Sequence, residues 1–232
     1  MNYQEILKLL KTAASIEELD RHQKDLLDWF PFCRVMLGYD QNHRAHQYDL
    51  WYHSLHTVLN LPRWMQDDML FLAALLHDVG KPDRRTEYGT KKPDAHYYGH
   101  PERSAQIVEQ EVIPTLKNKG VVLSGEEKQR LLYYVRYHDD WIRLSFKHIQ
   151  KHLERVSLPV FRRLLHLQVA DAEAHVQLPF IETHIRTCKI CLAMTGDDYA
   201  HILSELTDDE KIDVAAIRVL IKYRTPFEEL AK

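Results

Sequence analysis

Residues 69–76, MLFLAALL, are apolar without interruption, and the next six residues are His77, Asp78, Val79, Gly80, Lys81 and Pro82. A helix with no polar face has to lie inside a fold, so this run sets the centre of the molecule. Gly80 and Pro82 are the stop signal expected just past a helix end. Asp78 then falls at the negative end of the helix dipole, where a carboxylate is disfavoured by about 0.3–1 kcal/mol. Something positive has to offset it. The sequence offers Lys81 close by, or a metal ion held jointly with His77.

The remainder of the chain reads as helix around that centre. Only 7 of the 232 residues are glycine, and no stretch sustains the alternation of a half-buried strand. Helices are expected near 3–11, 16–28, 49–60, 65–78, 102–118, 125–138, 146–153, 157–175, 179–194, 197–204 and 213–222. Ser124 with Glu127 matches a capping box, Pro101 suits a first helical position, and Pro114 should kink or end its helix. Residues 81–99 form the longest irregular segment, polar and rich in turn residues, and loops of that length are often functional. With no internal repeat and no linker, the expectation is one all-α domain.

Bulk properties exclude several classes of function. A net charge of −3 leaves no electrostatic footprint for nucleic acid or an acidic membrane. Three cysteines make a disulfide framework improbable and point to a reducing, cytoplasmic setting. No run approaches the 18 apolar residues of a membrane span, and the N-terminal stretch reads as an amphipathic helix, not a signal peptide. Fifteen histidines are the anomaly.

Several of those histidines stand where periodicity predicts the core. His53 and His56 share a helix filled with Leu, Trp, Tyr and Val; His138 lies on the stripe of Leu131 and Val135; Asp171 lies on the face of Leu164, Leu167 and Ala174. An unpaired buried carboxylate is costly enough to take a proton or find a partner. Each placement has an ordinary explanation: a hydrogen-bonded core histidine, a helix cap at His77-Asp78, or pairing of Asp171 with Arg162, Arg163 or His175. One metal site explains all of them together, with His100 completing the set. A His/Asp donor set without thiolate suits Mn, Fe, Co, Ni or Mg, with Zn also possible.

The ordered set His53, His77-Asp78, His100, His138, Asp171, with the segments HDVGK and YGHPE, resembles the HD-domain metal-dependent phosphohydrolase superfamily over residues 40–175. The segments QNHRAHQYDLWYHSLHTV, LAALLHDVGKP and HYYGHPERSAQIV are most similar to the HD domains of bacterial CCA-adding tRNA nucleotidyltransferases. The polymerase head of those enzymes has no counterpart here, so nucleotide addition is not expected. The resemblance implies a single HD helical bundle at 40–175, with helices 1–39 packed on it and helices 176–232 in the same globular unit.

It also implies two divalent ions bridged by Asp78, one held by His53, His77 and Asp171, the other by His100 and His138. A metal-activated water would attack phosphorus. Lys81 would act beside Asp78 as a catalytic residue facing the substrate phosphate, while Arg84, Arg85 and Arg103, with Lys91 and Lys92 of the loop, are candidates to bind substrate. His56 is expected in a supporting or core role, Asp139 and Asp140 either orient His138 or are helix-end polarity, and Cys188-x-x-Cys191 lacks the second pair that zinc would need. The expected activity is hydrolysis of a nucleotide, an RNA end or a 2',3'-cyclic phosphate-type ester. A diiron oxygenase on the same ligands and a non-catalytic nucleotide-binding module are the alternatives. Oligomeric state, metal identity and the physiological substrate are not encoded in any motif.

Overall fold

The computed structural model describes residues 1–88, 94–196, 204 and 206–224. Helix α5 (Asp68–Leu76) occupies the centre, and every residue from Met69 to Leu76 is buried. Asp67 caps it, accepting from the Met69 N–H at 3.1 Å. Around α5 lie α4 (Leu50–Asn60), α8 (Gly125–Tyr137) and α10 (Leu158–Glu173); α6 (His100–Ile107) packs on α8. The N-terminal helices α1 (Tyr3–Thr12), α2 (Ile16–Arg21) and α3 (Gln23–Trp29) close one side, contributing Ile6, Leu10, Leu19 and Leu26 to the same core.

Helix α10 has two apolar faces. Leu164, Leu167 and Ala170 join the central core, while Phe161 and Leu165 join a second one. That second core is built with α9 (Phe146–Leu153), α11 (Pro179–Met194) and α12 (Asp208–Arg224). The helices after residue 176 are thus tied to the rest through a shared helix.

The all-helical expectation holds, with local differences. The expected helix at 16–28 breaks at His22, leaving α2 and α3. The expected helix at 102–118 begins two residues earlier and contains a π-helical stretch at Val108–Val112 before α7 (Ile113–Asn118). Pro114, which has no N–H to give, sits at the start of α7, so the irregularity falls where the ladder has to be broken. The irregular segment carries a short antiparallel hairpin, β1 (Thr86–Tyr88) with β2 (Asp94–His96), which periodicity cannot reveal at three residues a strand. Residues 89–93, with Lys91 and Lys92, and most of the expected helix at 197–204 lie outside the described residues.

Candidate metal centre

Each expected ligand is presented by a separate element. His53 lies in the middle of α4, His77 caps the C-terminus of α5 with Asp78 just beyond, His100 opens α6, His138 caps the C-terminus of α8, and Asp171 sits near the end of α10. All six are buried. The turn after Asp78 holds α6 close: the Gly80 N–H donates to Ser104 Oγ at 2.9 Å, and a Cβ at Gly80 would lie 2.5 Å from the Ser104 backbone nitrogen. Only glycine lets the doublet and His100 approach this closely.

Three of the histidines are oriented by the same device. His77 Nδ1 lies 2.9 Å from the Ala74 carbonyl, His100 Nδ1 2.9 Å from that of Tyr97, and His138 Nδ1 2.7 Å from that of Val135. A carbonyl only accepts, so each Nδ1 donates, and each neutral ring keeps its lone pair on Nε2. Those lone pairs converge. The two oxygens of Asp78 divide them: Oδ2 is 3.2 Å from His77 Nε2 and 3.6 Å from His53 Nε2, whereas Oδ1 is 3.1 Å from His100 Nε2 and 3.4 Å from His138 Nε2. Asp171 Oδ1 lies 2.9 Å from His53 Nε2 and 3.6 Å from His77 Nε2.

The centre is therefore a nest of acceptors. His53 Nε2, His77 Nε2, Asp78 Oδ1 and Asp171 Oδ1 are buried without a hydrogen-bond partner, even where they lie as close as His53 and Asp171. The Nε2 atoms of His100 and His138 face each other at 3.1 Å, and with both Nδ1 atoms donating elsewhere this pair requires a proton or a cation between them. Unsatisfied buried acceptors are costly in a structural core. A divalent ion removes that cost at every one of these atoms, so the residues present fit a metal.

Electrostatics point the same way. Burial would raise the Asp78 carboxyl, yet His77, Lys81, His100 and His138 hold it well below the usual carboxylate range; Asp171 is held down likewise by His175, His53 and His77 against burial. Burial pushes His53 down to about 4, keeping it neutral. Burial also opposes charge on His77, but Asp78 and Asp171 outweigh it and bring the ring up to about 10, a proton occupying the place of a cation. Of the two positive partners expected for Asp78, Lys81 is in place, with Nζ 2.6 Å from Asp78 Oδ2, and the clustered histidines could hold an ion.

Above the centre opens a cleft of about 280 Å³, lined by Asp78, Lys81, His100, His138 and Asp171 together with His43, His46, His96, Tyr98, Asp139, Trp141 and His175. Lys81 is its only lysine or arginine among the described residues. Gln41 Oε1 accepts from Lys81 Nζ at 2.9 Å, and the Tyr97 hydroxyl donates to the Gln41 carbonyl at 2.8 Å. Gln41 and His46 were not singled out from sequence, and His175 only as a partner for Asp171; all three lie beside the ligand-bearing helices in loops, where no periodicity marks them. His175 Nδ1 donates to the Asp171 carbonyl at 2.8 Å.

Other expected residues stand apart from the cleft. Arg85 bonds to Glu87 at 2.7 Å and to the Asp40 carbonyl at 2.7 Å, Arg103 pairs with Asp83 at 2.6 Å, and Arg84 is exposed; none lines the cleft. His56 stacks on Tyr48, with ring centroids 4.0 Å apart. His138 takes its orientation from Val135, so Asp140 is not needed for that and instead faces His148 and His152. Arg163 pairs with Asp67 and Arg162 bonds to the Leu192 carbonyl, leaving His175 as the neighbour of Asp171. Cys188 and Cys191 are free, buried thiols that burial pushes upward.

The family model described as "HD domain" matches residues 50–174, more than half of the chain and the span that holds all six candidate ligands. No curated protein and no solved structure gives a significant match. Among the described residues, no helix is long and apolar enough to cross a membrane. HD domains bind divalent metals, as the clusters here are suited to do. The chain belongs to the HD domain family, within the superfamily of metal-dependent hydrolases.

Proposed function

We propose that the protein is a divalent-metal-dependent phosphohydrolase, a phosphatase or phosphodiesterase acting on a nucleotide, an RNA end or a 2',3'-cyclic phosphate-type ester. The observation that carries this reading is the division of labour at Asp78: its two oxygens address different pairs of histidines. His53, His77 and Asp171 with Asp78 Oδ2 would hold one ion, and His100 and His138 with Asp78 Oδ1 a second, of Mn, Fe, Co, Ni, Mg or Zn. Such ions supply a water that loses its proton near neutral pH and charge that neutralises a phosphoryl group.

The protein's own residues do the rest. Backbone carbonyls at Ala74, Tyr97 and Val135 fix three imidazoles as Nε2 donors to a cation. Lys81, tethered by Gln41, puts a fixed ammonium at the cleft floor, where it favours an anionic ester over a neutral substrate. That ammonium is what makes phosphate chemistry a better fit than oxygen chemistry on the same ligands. The cleft volume suits a phosphate with its sugar, leaving a base at the rim beside Tyr98 and Trp141. On the motif resemblance alone, 2',3'-cyclic nucleotides are the first substrates to try.

The test is hydrolysis of aryl mono- and diesters, nucleotides and 2',3'-cyclic nucleotides by metal-stripped protein reloaded with each ion, beside Asp78→Ala. Turnover that requires metal and disappears in the variant is expected. Bound metal without turnover, or iron-dependent oxygen uptake, would overturn the reading.

A further inference from the structure

Asp140, His148 and His152 form a second group of ligand-competent side chains that shares no residue with the first. His148 and His152 are one turn apart on α9, which puts both imidazoles on one face. Asp140 follows the end of α8, and its backbone is pinned on both sides: its N–H donates to Tyr137 O at 3.2 Å and its carbonyl accepts from Gln168 Nε2 at 2.9 Å. His152 is buried, with Nδ1 2.8 Å from the Tyr133 hydroxyl, a contact that aims Nε2 at Asp140.

The carboxylate oxygens lie 3.2 Å from His148 Nε2 and 3.6 Å from His152 Nε2. The second separation is too long for a hydrogen bond. Oδ1 faces His148 and Oδ2 faces His152, each near the donor separation of about 3.3 Å expected of a tetrahedral shell with bonds of about 2.0–2.1 Å. With Nδ1–H donating to the Tyr133 hydroxyl, the His152 lone pair would lie on Nε2, toward Asp140. Lys151 and Arg155 add positive charge nearby, which disfavours a hard ion held by charge alone. Two imidazoles and one carboxylate instead select a borderline transition ion. Asp140 is about half exposed, leaving the remaining coordination to water.

We propose that Asp140, His148 and His152 bind one transition-metal ion of the zinc class, separate from the HD centre. The ion would clamp the end of α8, which carries His138, to α9, and would fix the intervening residues 139–145, among them Asp139 and Trp141 of the cleft rim. Its role is structural support of the cleft and not catalysis.

The experiment is a Co²⁺ and Zn²⁺ titration of the full, metal-stripped chain in four forms: unmodified, Asp78→Ala, His148→Ala and the double variant, with Asp140→Asn as the shape-preserving control. His148 is partly exposed, so its removal leaves the core intact. The unmodified chain is expected to bind one Co²⁺ equivalent more than His148→Ala or Asp140→Asn. Asp78→Ala should keep that equivalent, with the intense visible bands of four-coordinate Co²⁺, and should gain thermal stability from Zn²⁺, whereas the double variant should do neither. Equal stoichiometry in the unmodified chain and His148→Ala, or a Zn²⁺ response that survives in the double variant, would overturn the proposal. Failure of the HD centre to bind metal would show separately, as equal uptake by the unmodified chain and Asp78→Ala.

Discussion

Helix α5 carries a buried aspartate at each end, and the two have opposite fates. Asp67, at the N-terminus, accepts from the Met69 N–H at 3.1 Å and the Tyr134 hydroxyl at 2.9 Å, and pairs with Arg163 at 3.2 Å. The helix dipole favours it there. Asp78, past the C-terminus, works against the dipole, faces the Nε2 atoms of four histidines and leaves Oδ1 without a hydrogen-bond partner. The same residue type, equally buried on the same helix, is finished by protein partners at one end and left open at the other. A satisfied buried carboxylate ties α5 to α8 and α10; an unsatisfied one reserves a place for a ligand.

The sharpest way to break this contrast is Asp78→Ala. Loss of the shared ligand should cost several kcal/mol of transition-state stabilisation, on the order of 10³-fold or more in metal-dependent turnover. The variant should also no longer gain thermal stability from Mn²⁺, which calorimetry with and without the ion would read. Asp67→Ala should do the reverse. It removes a cap, a buried hydroxyl partner and an ion pair, about 3 kcal/mol together, and lowers Tm by roughly 6–12 °C. Turnover per folded molecule at a permissive temperature should survive. Comparable loss of turnover in both variants would erase the distinction.

Gly80→Ala tests how the open end is held. The new Cβ would press on the Ser104 backbone, an overpacking cost of about 1–3 kcal/mol. Since α6 must shift, metal affinity should fall along with Tm; a drop in Tm alone would show that His100 does not depend on this contact.

A gentler test is the pH dependence of the metal-free protein. His77 is raised to about 10 from an ordinary value near 6.5, so its contribution to stability is complete below pH 6.5 and is lost as pH rises through 10. Asp78 and Asp171, held below their ordinary values, contribute throughout that window, and His53, at about 4, is neutral across it. Tm of the stripped protein should therefore fall gradually between pH 7 and 10. Metal-loaded protein, with an ion where the His77 proton was, should resist that fall. Parallel profiles would mean that the ion does not engage His77.

Much of this site was legible in the sequence because its residues break a pattern. His53, His138 and Asp171 interrupt apolar stripes, and His77-Asp78 ends an apolar run, so each is conspicuous against its neighbours. Gln41, His46 and His175 sit in loops, where no stripe exists to be broken, and their closeness to the centre depends on distant segments. The surroundings of the arginines were hidden for a related reason. A basic residue in a loop reads as available for phosphate, but Arg85 and Arg103 have local acidic partners, Glu87 and Asp83. The Asp67 network was likewise invisible, because Tyr134 and Arg163 look like ordinary helix residues until α8 and α10 are laid against α5.

By itself the sequence determined the helical class, the central position of 69–76, the conspicuous polar residues on apolar stripes and the need for a positive partner at Asp78, because these follow from local periodicity and the cost of burying charge. The tertiary structure alone decided that the six candidate ligands converge, that Asp78 divides its oxygens between two pairs of histidines, and that among the described residues Lys81 rather than the arginines lines the cleft. The physical reason is distance. The ligands are 22 to 38 residues apart along the chain after the His77-Asp78 doublet, and no local rule specifies how five helices cross.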